Sequence, residues 1–267
     1  PSVAACRKMT DLFNLRGDKL AVARSNSRAV NQFPHDWRMA TYSFNYLPIL
    51  NEKGSIDTPQ AELPAHLDMV EKLKHAEEPV TLIMTGPLTD LARALDVDPD
   101  IEKHIKKLYW MGGSLDDHGN VAMVNADGSQ EWNSFWDPYA VKRVFDSNIS
   151  IQMVGLESTE EIPLNDELRQ HWASLRKYPA MDLVGQGYSL IISIPSAELY
   201  LWDVLTTVSA LYPEVVKTEK AKATVITDGM SAGSFRRDPN GREVDIVTKA
   251  NKELFFQKMD EILERTK

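Results

Sequence analysis

The most unusual part of the sequence is a polar segment, residues 119–133, which contains Asn120, Asn125, Glu131 and Asn133. Carboxylates and amides exchange hydrogen bonds with vicinal hydroxyls, and aromatic rings pack on the flatter faces of sugars. The segment therefore has the residue types that a site for a polyhydroxylated sugar or a nucleoside requires. A solvated loop built from turn residues has a similar composition, so the residues by themselves leave both interpretations open.

The composition narrows the class of protein. The formal net charge of -9 argues against a surface for non-specific nucleic-acid binding. No apolar run is long enough for a membrane-spanning helix, so no membrane partner is expected. The single cysteine, Cys6, excludes a disulfide within the chain and is consistent with a reducing compartment such as the cytoplasm. Its apolar neighbours at helical spacing predict a buried thiol.

Short apolar runs alternate with amphipathic segments along the chain. Val80–Met84 is continuously apolar, which is typical of a strand buried on both faces of a parallel sheet. Further strands are predicted at 19–23, 107–111, 149–154, 222–226 and 243–247. Helices are predicted at 2–14, 138–145, 165–175 and 251–263, with a mostly helical stretch at 181–208 that breaks near Pro195. This alternation predicts an α/β fold, with a mostly parallel central sheet and helices on both faces, in one domain of residues 1–267.

In such a sheet, ligands bind beyond the carboxyl ends of the strands. Three segments that follow predicted strands are therefore expected to share one rim: 85–87, 111–133 and the residues after Val154.

Four short motifs follow one another on this rim: MGG at 111–113, GNV at 119–121, EWN at 131–133 and DP at 137–138. Their order and spacing resemble the ribose-binding segment of the nucleoside hydrolase family. The resemblance implies a Rossmann-like nucleoside hydrolase fold. It also implies that Asn120, Glu131 and Asn133 hold the ribose hydroxyls, with Met111 packed beside the sugar.

Two further motifs extend the resemblance to a calcium site. VTLIMTGPLTDLARAL at 80–95 resembles a strand-turn-helix element of the family, and Thr85 matches the residue whose backbone carbonyl binds Ca²⁺. In YLWDVLTTVSALYP at 200–213, Asp203 matches a second calcium ligand. Taken without the resemblance, Thr85 sits in an ordinary turn, and Asp203 is a favourable charge at a helix start.

The aromatic residues around these motifs resemble those of purine-preferring members. Trp202 stands where other members carry histidine, and FPHDWR at 33–38 matches an element that contributes Phe33, Asp36 and Trp37. Trp132 would be a third aromatic wall. Rings of this kind stabilise a protonated leaving base on the same grounds as a cation–π contact.

One expected element is missing from this sequence. Family members begin with a strand that ends in an aspartate cluster of the type Asp-x-Asp-x-x-x-Asp-Asp, which supplies most calcium ligands and the general base. No such cluster occurs here, and residues 1–15 resemble the helix that follows it. We therefore expect the first strand and the general base to lie outside this sequence, which would leave unpaired strand edges and exposed apolar faces.

The sequence thus predicts a ribonucleoside hydrolase that favours purine nucleosides and releases ribose and free base. Calcium would be required in the complete protein, and a homodimer or homotetramer is possible on the family pattern. Two alternatives stay open. One is a catalytically inactive homologue that binds a sugar or nucleoside or has a regulatory role, and the other is a hydrolase of another N-glycoside.

Overall fold

A six-stranded mixed sheet forms the centre of the computed structural model, which describes residues 1–14, 20–115, 118–189 and 199–266. In chain order its strands are β1 Val80–Met84, β2 Ile105–Met111, β3 Ile151–Val154, β4 Val216–Val225, β5 Phe235–Arg237 and β6 Arg242–Ala250. Their order across the sheet is β1-β2-β3-β6-β4-β5.

Helices connect and cover these strands. Those before β3 are α1 Ser2–Leu12, α2 His35–Asn45, α3 Ala65–Lys74, α4 Thr89–Val97, α5 Trp132–Trp136 and α6 Pro138–Phe145. Those after β3 are α7 Leu156–Thr159, α8 Asp166–Ser174, α9 Pro179–Ser189, α10 Trp202–Leu211 and α11 Lys252–Leu263. Among the described residues, no helix is long and apolar enough to cross a membrane.

The strand pairing confirms the predicted fold class. Strands β1, β2, β3 and β6 are mutually parallel, as in the pairings Leu82↔Leu108 and Leu108↔Ile151. Strands β4 and β6 then pair antiparallel over most of their length, which confirms the predicted late strand pair. Parallel strands joined by helices bring the carboxyl ends of β1, β2 and β3 to one rim, where the polar segment begins.

Each face of the sheet carries its own apolar core. On one face, α3, α4 and α6 pack on the strands around Leu91, Trp110 and Val144. On the other face, α8, α9, α10 and α11 surround Leu205 and Phe255. Helices therefore lie on both sides of the sheet, as the alternating sequence pattern predicts.

Strand β1 differs from its predicted burial on both faces. Val80, Leu82 and Met84 pack on the core beneath α3 and α4, but Thr81 and Ile83 are exposed, Ile83 by 40% of its surface. The prediction was wrong because β1 lies at the end of the sheet, where the described residues cover its second face only in part. Its outer edge receives no backbone hydrogen bond from the rest of the described chain.

Other expectations near the amino terminus also need correction. The strand predicted at 19–23 is reduced, in its described part, to an isolated bridge between Val22 and Gln60. Cys6 is exposed rather than buried. Ala5, Met9 and residues 12–13 form the inward face of α1, and Cys6 projects about 100° away from Ala5 around the helix. The predicted break near Pro195 lies outside the described residues.

Candidate functional site

The segment that follows β2 folds back across the ends of the strands. The backbone N–H of Gly112 donates to the carbonyl of Val154 at 3.3 Å, and Leu156 N–H donates to Gly113 at 3.2 Å. Gly113 has φ +75°, and a Cβ there would meet Met153 and Phe235 at under 3 Å. A glycine is therefore required at this turn, which carries the chain from the strand end into the polar segment.

Glu131 is the buried centre of the site. It precedes α5 as its N-cap, and its carboxylate accepts backbone hydrogen bonds from Asn133 at 2.9 Å and Ser134 at 3.2 Å. A third bond comes from the N–H of Gly113 at 2.8 Å. The residue is 2% exposed. A carboxylate has about four lone-pair positions, so one acceptor position is left for a further donor.

The pKa of the Glu131 carboxyl results from opposed effects. The pKa is raised to about 7, mainly because the carboxyl is buried, although the three backbone N–H groups act in the other direction. The charge of Asp203 contributes to the same rise, so Asp203 lies close to Glu131. Burial likewise raises the pKa of the Asp203 carboxyl, to about 6. Water reaches the Asp203 side chain, so its dehydration is only partial.

Two further predicted sugar ligands surround Glu131. The side-chain amide of Asn133 is buried and donates to the carbonyl oxygen of Met111 at 3.0 Å and to its sulfur at 3.2 Å. Asn120 is half-buried, and its Oδ1 accepts from the backbone N–H of Trp132 at 3.1 Å. The structure thus brings Met111, Asn120 and Asn133 together around the start of α5.

Five aromatic side chains, here called the aromatic cluster, pack beside this polar group: Phe33, Trp37, Trp132, Phe135 and Trp136. The ring centroids of Trp37 and Trp132 are 4.8 Å apart, and those of Phe33 and Trp136 are 3.6 Å apart and nearly parallel. The predicted base-binding residues Phe33, Trp37 and Trp132 therefore form one surface.

The remaining predicted base-site residues lie apart from this surface. Trp202 packs against Tyr200 at 5.7 Å, and no ring contact joins it to the aromatic cluster within the described residues. Asp36 lies in the first turn of α2 with its side chain in solvent, where it pairs with the neighbouring His35 at 3.2 Å. Neither arrangement tests the predicted role of Trp202 or Asp36.

The predicted metal ligands supply few oxygens. Thr85 follows β1 and is exposed, and Asp203 lies in the first turn of α10. Calcium takes six to eight oxygen ligands. No group of three or more His, Cys, Asp or Glu side chains is arranged to hold a metal in the described parts of the chain. The described residues do not form a calcium site on their own.

Three residues near the site were not identified from the sequence. Glu157 accepts hydrogen bonds from the Ser114 hydroxyl at 3.1 Å and from the backbone N–H of Leu115. Tyr188 lies near Asp203, and burial followed by this charge raises its pKa to about 12. Trp136 belongs to the aromatic cluster. Only Trp136 had a signal in the sequence, since it ends the run of aromatic residues that begins at Trp132 and continues beyond the polar segment.

The site therefore combines two surfaces with different chemistry. Around Glu131, buried acceptors and amides lie close enough to bind neighbouring hydroxyls. Beside it, the aromatic cluster offers ring faces for a planar group. A molecule that joins a sugar to a flat heterocycle fits both surfaces.

Comparisons with known proteins place this arrangement in a family context. The family model described as inosine-uridine preferring nucleoside hydrolase matches residues 17–257. A solved inosine-uridine preferring nucleoside hydrolase from Bacillus anthracis is 43% identical with a TM-score of 0.93, and the match covers 99% of this chain and 85% of that one. A purine-preferring ribonucleoside hydrolase from Gardnerella vaginalis has a TM-score of 0.74 over 98% of this chain and 85% of its own, but its 22% identity supports the fold alone.

Curated relatives match over shorter stretches. The pyrimidine-specific ribonucleoside hydrolase RihA of Shewanella woodyi is 37% identical over 109 residues, which are 41% of this chain and 33% of that protein. The enzyme of the same name from an Enterobacter species is 30% identical over 177 residues, 64% of this chain and 54% of the relative. The chain thus spans between about a third and half of the length of these curated relatives.

Proposed function

Because the chain belongs to the inosine-uridine preferring nucleoside hydrolase family, we propose that the protein hydrolyses the N-glycosidic bond of ribonucleosides to ribose and free base. The observation that carries this proposal is that Glu131 is buried among Met111, Asn120 and Asn133, with the aromatic cluster beside them. Its fourth acceptor position can take a ribose hydroxyl, while Asn120 and Asn133 flank it. A nucleoside would place its sugar there and its base against the rings.

Purine nucleosides are the proposed preferred substrates. The relatives differ on this point, since RihA is named for pyrimidines, and the Bacillus anthracis enzyme for inosine and uridine. Support for purines comes from Trp37 and Trp132, whose extended rings offer a large stacking area. Electron-rich rings also favour the protonated form in which a base leaves. The proposal for Trp202 is that it stacks on the leaving base from outside the aromatic cluster.

The reaction requires water to attack the anomeric carbon as the bond to the base breaks, through an oxocarbenium-like state. Asn120, Glu131 and Asn133 would orient the sugar for this attack. The family typically depends on calcium. For this chain calcium dependence stays a prediction, because it requires oxygen ligands in addition to Thr85 and Asp203.

The test is incubation of the complete protein, including the amino-terminal segment expected to carry the general base, with inosine, adenosine and uridine, and release of reducing sugar is the measurement. We expect ribose to be released from all three, fastest from the purine nucleosides. Saturable binding of inosine without ribose release would instead identify a catalytically inactive nucleoside-binding homologue. Cleavage of other N-glycosides, with no cleavage of these three, would identify a hydrolase of a different substrate class.

A further inference from the structure

The aromatic cluster is assembled from two parts of the chain that are far apart in sequence. Trp132 and the last two aromatic residues of the cluster lie on α5, whereas Phe33 and Trp37 lie just before and just inside α2. The rings can meet only if the segment around Phe33 is held against α5. The residue that holds it sets the geometry of the surface on which the base is proposed to stack.

Asn31 makes this connection with two hydrogen bonds. Its backbone N–H donates to the carbonyl of Trp136 at 2.9 Å, and its side-chain Nδ2 donates to the carbonyl of Phe135 at 2.7 Å. Both carbonyls lie at the carboxyl end of α5, where backbone acceptors lack partners within the helix. Asn31 therefore caps α5 from a distant part of the chain.

The partners of the Asn31 side chain determine the orientation of its amide. A carbonyl oxygen only accepts hydrogen bonds, so Nδ2 must face Phe135. Oδ1 then faces the polar segment, where it accepts from Nδ2 of the exposed Asn125 at 3.3 Å. Asn125 thus belongs to this attachment, and three separate parts of the chain meet at Asn31.

Beyond Asn31, the segment has little else to hold its beginning in place. In the part of the chain that the structure describes, residues 32–42 are hydrogen-bonded only to one another and to their neighbours in α2. Helix α2 has no buried residue, and the side chain that packs into an apolar cluster, Phe44 near Leu183, lies close to its end. The first turn therefore depends on Asn31 and on the ring contacts themselves.

The two rings that follow Asn31 are placed at short range. Phe33 stacks on Trp136 with centroids 3.6 Å apart and an interplanar angle of 13°. Trp37, one helical turn further on, lies 4.8 Å from Trp132. Phe33 is 38% exposed and Trp37 44% exposed, so both retain free ring surface for a ligand. Dispersion contacts weaken steeply with distance, so a small shift of the segment would reduce this stacking surface.

We propose that Asn31 is the positioning residue of the base-binding surface, because it holds Phe33 and Trp37 at the spacing at which a planar heterocyclic base stacks. The identity of the ligand rests on the proposed function, but the attachment of the rings does not. Loss of the side-chain bond should weaken binding of a base. It should leave binding of ribose unchanged, because the sugar contacts lie around Glu131.

Asn31→Asp tests the side-chain bond without changing the size of the residue. A carboxylate oxygen replaces Nδ2 and faces the carbonyl of Phe135, so the bond is lost. Asn148→Asp is the matched control. Asn148 Nδ2 also joins two distant segments, by donating to Glu102 at 2.8 Å, but it does so before β2 and β3, at the opposite end of the strands.

Binding and turnover are compared in the complete protein at neutral pH. Calorimetry gives the dissociation constants of hypoxanthine and ribose. We expect Asn31→Asp to weaken hypoxanthine binding about tenfold, the effect of one lost hydrogen bond, and to change ribose binding by less than about twofold. In assays of ribose release, KM for inosine should rise while kcat changes little. Asn148→Asp should leave all four values unchanged.

Circular dichroism reports on the ring geometry in the absence of any ligand. Indoles as close as those of Trp37 and Trp132 couple their electronic transitions, and this coupling produces a paired positive and negative band. Trp37→Phe identifies the part of the spectrum that comes from this pair. That part should shrink in Asn31→Asp and persist in Asn148→Asp.

Three results would overturn the proposal. An unchanged coupled band in Asn31→Asp would show that the rings keep their places without this bond. Equal loss of hypoxanthine and ribose binding would mean that Asn31 supports the fold as a whole. Hypoxanthine binding that is unchanged in Asn31→Asp, or already absent in the parent protein, would separate these rings from any base. If the parent protein cleaves no nucleoside, the proposed hydrolysis fails, and the spectra and the two dissociation constants still decide the role of Asn31.

Discussion

The Glu131 carboxylate accepts the backbone N–H of Gly113 at 2.8 Å, which ties the start of α5 to the turn after β2. Its other two bonds, from Asn133 and Ser134, cap the helix. One carboxylate therefore sets the position of the helix and the position of Asn133 relative to the strand end. The group proposed to hold the sugar is also the group that builds the site.

Replacement of Glu131 by Gln tests this double role. An amide places a donor where one carboxylate oxygen accepts, so at least one of the three backbone N–H groups loses its partner. We expect the free energy of unfolding to fall by about 1–3 kcal/mol. Because the remaining acceptor position is also altered, kcat/KM for inosine should fall by a further factor of roughly 10–100.

Asp137→Asn is the control for this substitution. Asp137 is also a buried N-cap carboxylate, which accepts from Ala140 N–H and the Thr89 hydroxyl, but it is not a proposed sugar ligand. We expect it to lower stability with little effect on kcat/KM in urea melts and steady-state assays of the folded protein. A Glu131→Gln protein with unchanged kcat/KM would remove Glu131 from the sugar site.

The stability of the protein should decrease as the pH rises from about 5 to about 7. Burial raises the pKa of Glu131 from 4.5 to about 7 in the folded state, so the folded protein binds the proton more tightly than the unfolded chain. The resulting gain in folding stability is complete below the pKa of Glu131 in the unfolded chain. It is lost as the pH rises through the pKa of Glu131 in the folded protein. For this buried group it amounts to roughly 3 kcal/mol.

Urea denaturation across this pH range measures the effect. Glu131→Gln cannot titrate at this position and should show a flatter dependence. Asp203 contributes in the same direction up to about pH 6, since its pKa is also raised, but its exposure to water makes its share smaller. If the free energy of unfolding of the parent protein increases between about pH 5 and pH 7, and Glu131→Gln shows the same slope, the raised pKa of Glu131 is contradicted.

The sequence allowed prediction of the elements whose signals are local. Periodicity is sufficient for α6, β2 and the β4–β6 pair, and the parallel topology then brings residues 85–87 and 111–133 to one rim. The capping role of Glu131 toward Asn133 is also local. Its bond to Gly113 joins residues 18 positions apart, and a one-dimensional pattern carries no information about it.

Other features depend on which neighbouring elements pack against a strand or helix, and the residues of that strand or helix do not indicate these neighbours. Val80–Met84 is apolar apart from Thr81, yet Ile83 is exposed because the strand ends the sheet. Trp202 and Trp132 have similar aromatic chemistry in the sequence, but only Trp132 joins the aromatic cluster. Tyr188 lacks any motif, and its proximity to Asp203 arises from the packing of α9 near α10.

Trp37→Ala tests the proposed stacking of the base. Removing one aromatic wall costs about 1–3 kcal/mol per stacked base, so kcat/KM for inosine should fall roughly 5–100-fold. Trp37→Phe keeps a ring and should retain most activity. Competitive inhibition by free ribose should be unchanged in both proteins, because the sugar contacts lie around Glu131. Loss of ribose inhibition in Trp37→Ala would show that the ring positions the sugar.

Trp202→Ala asks whether a ring outside the aromatic cluster also contacts the base. We expect it to lower purine turnover far more than ribose inhibition, with inosine and uridine assayed in parallel. Tyr200→Ala is the control, because it removes the ring that packs on Trp202 at 5.7 Å but leaves the indole in place. Equal losses of purine turnover and ribose inhibition in Trp202→Ala would mean that the stacking role is misassigned.

Calcium dependence can be tested through Asp203. Its carboxylate is exposed to water and lies near Glu131. Removal of divalent ions by a chelator should abolish ribose release, and added Ca²⁺ should restore it. Asp203→Asn removes one anionic ligand, so the Ca²⁺ concentration for half-maximal activity should rise about tenfold or more. Glu253→Gln, which removes a first-turn acid from α11, controls for the effect of a charge at a helix start. Ribose release that is unaffected by the chelator would contradict the predicted calcium dependence.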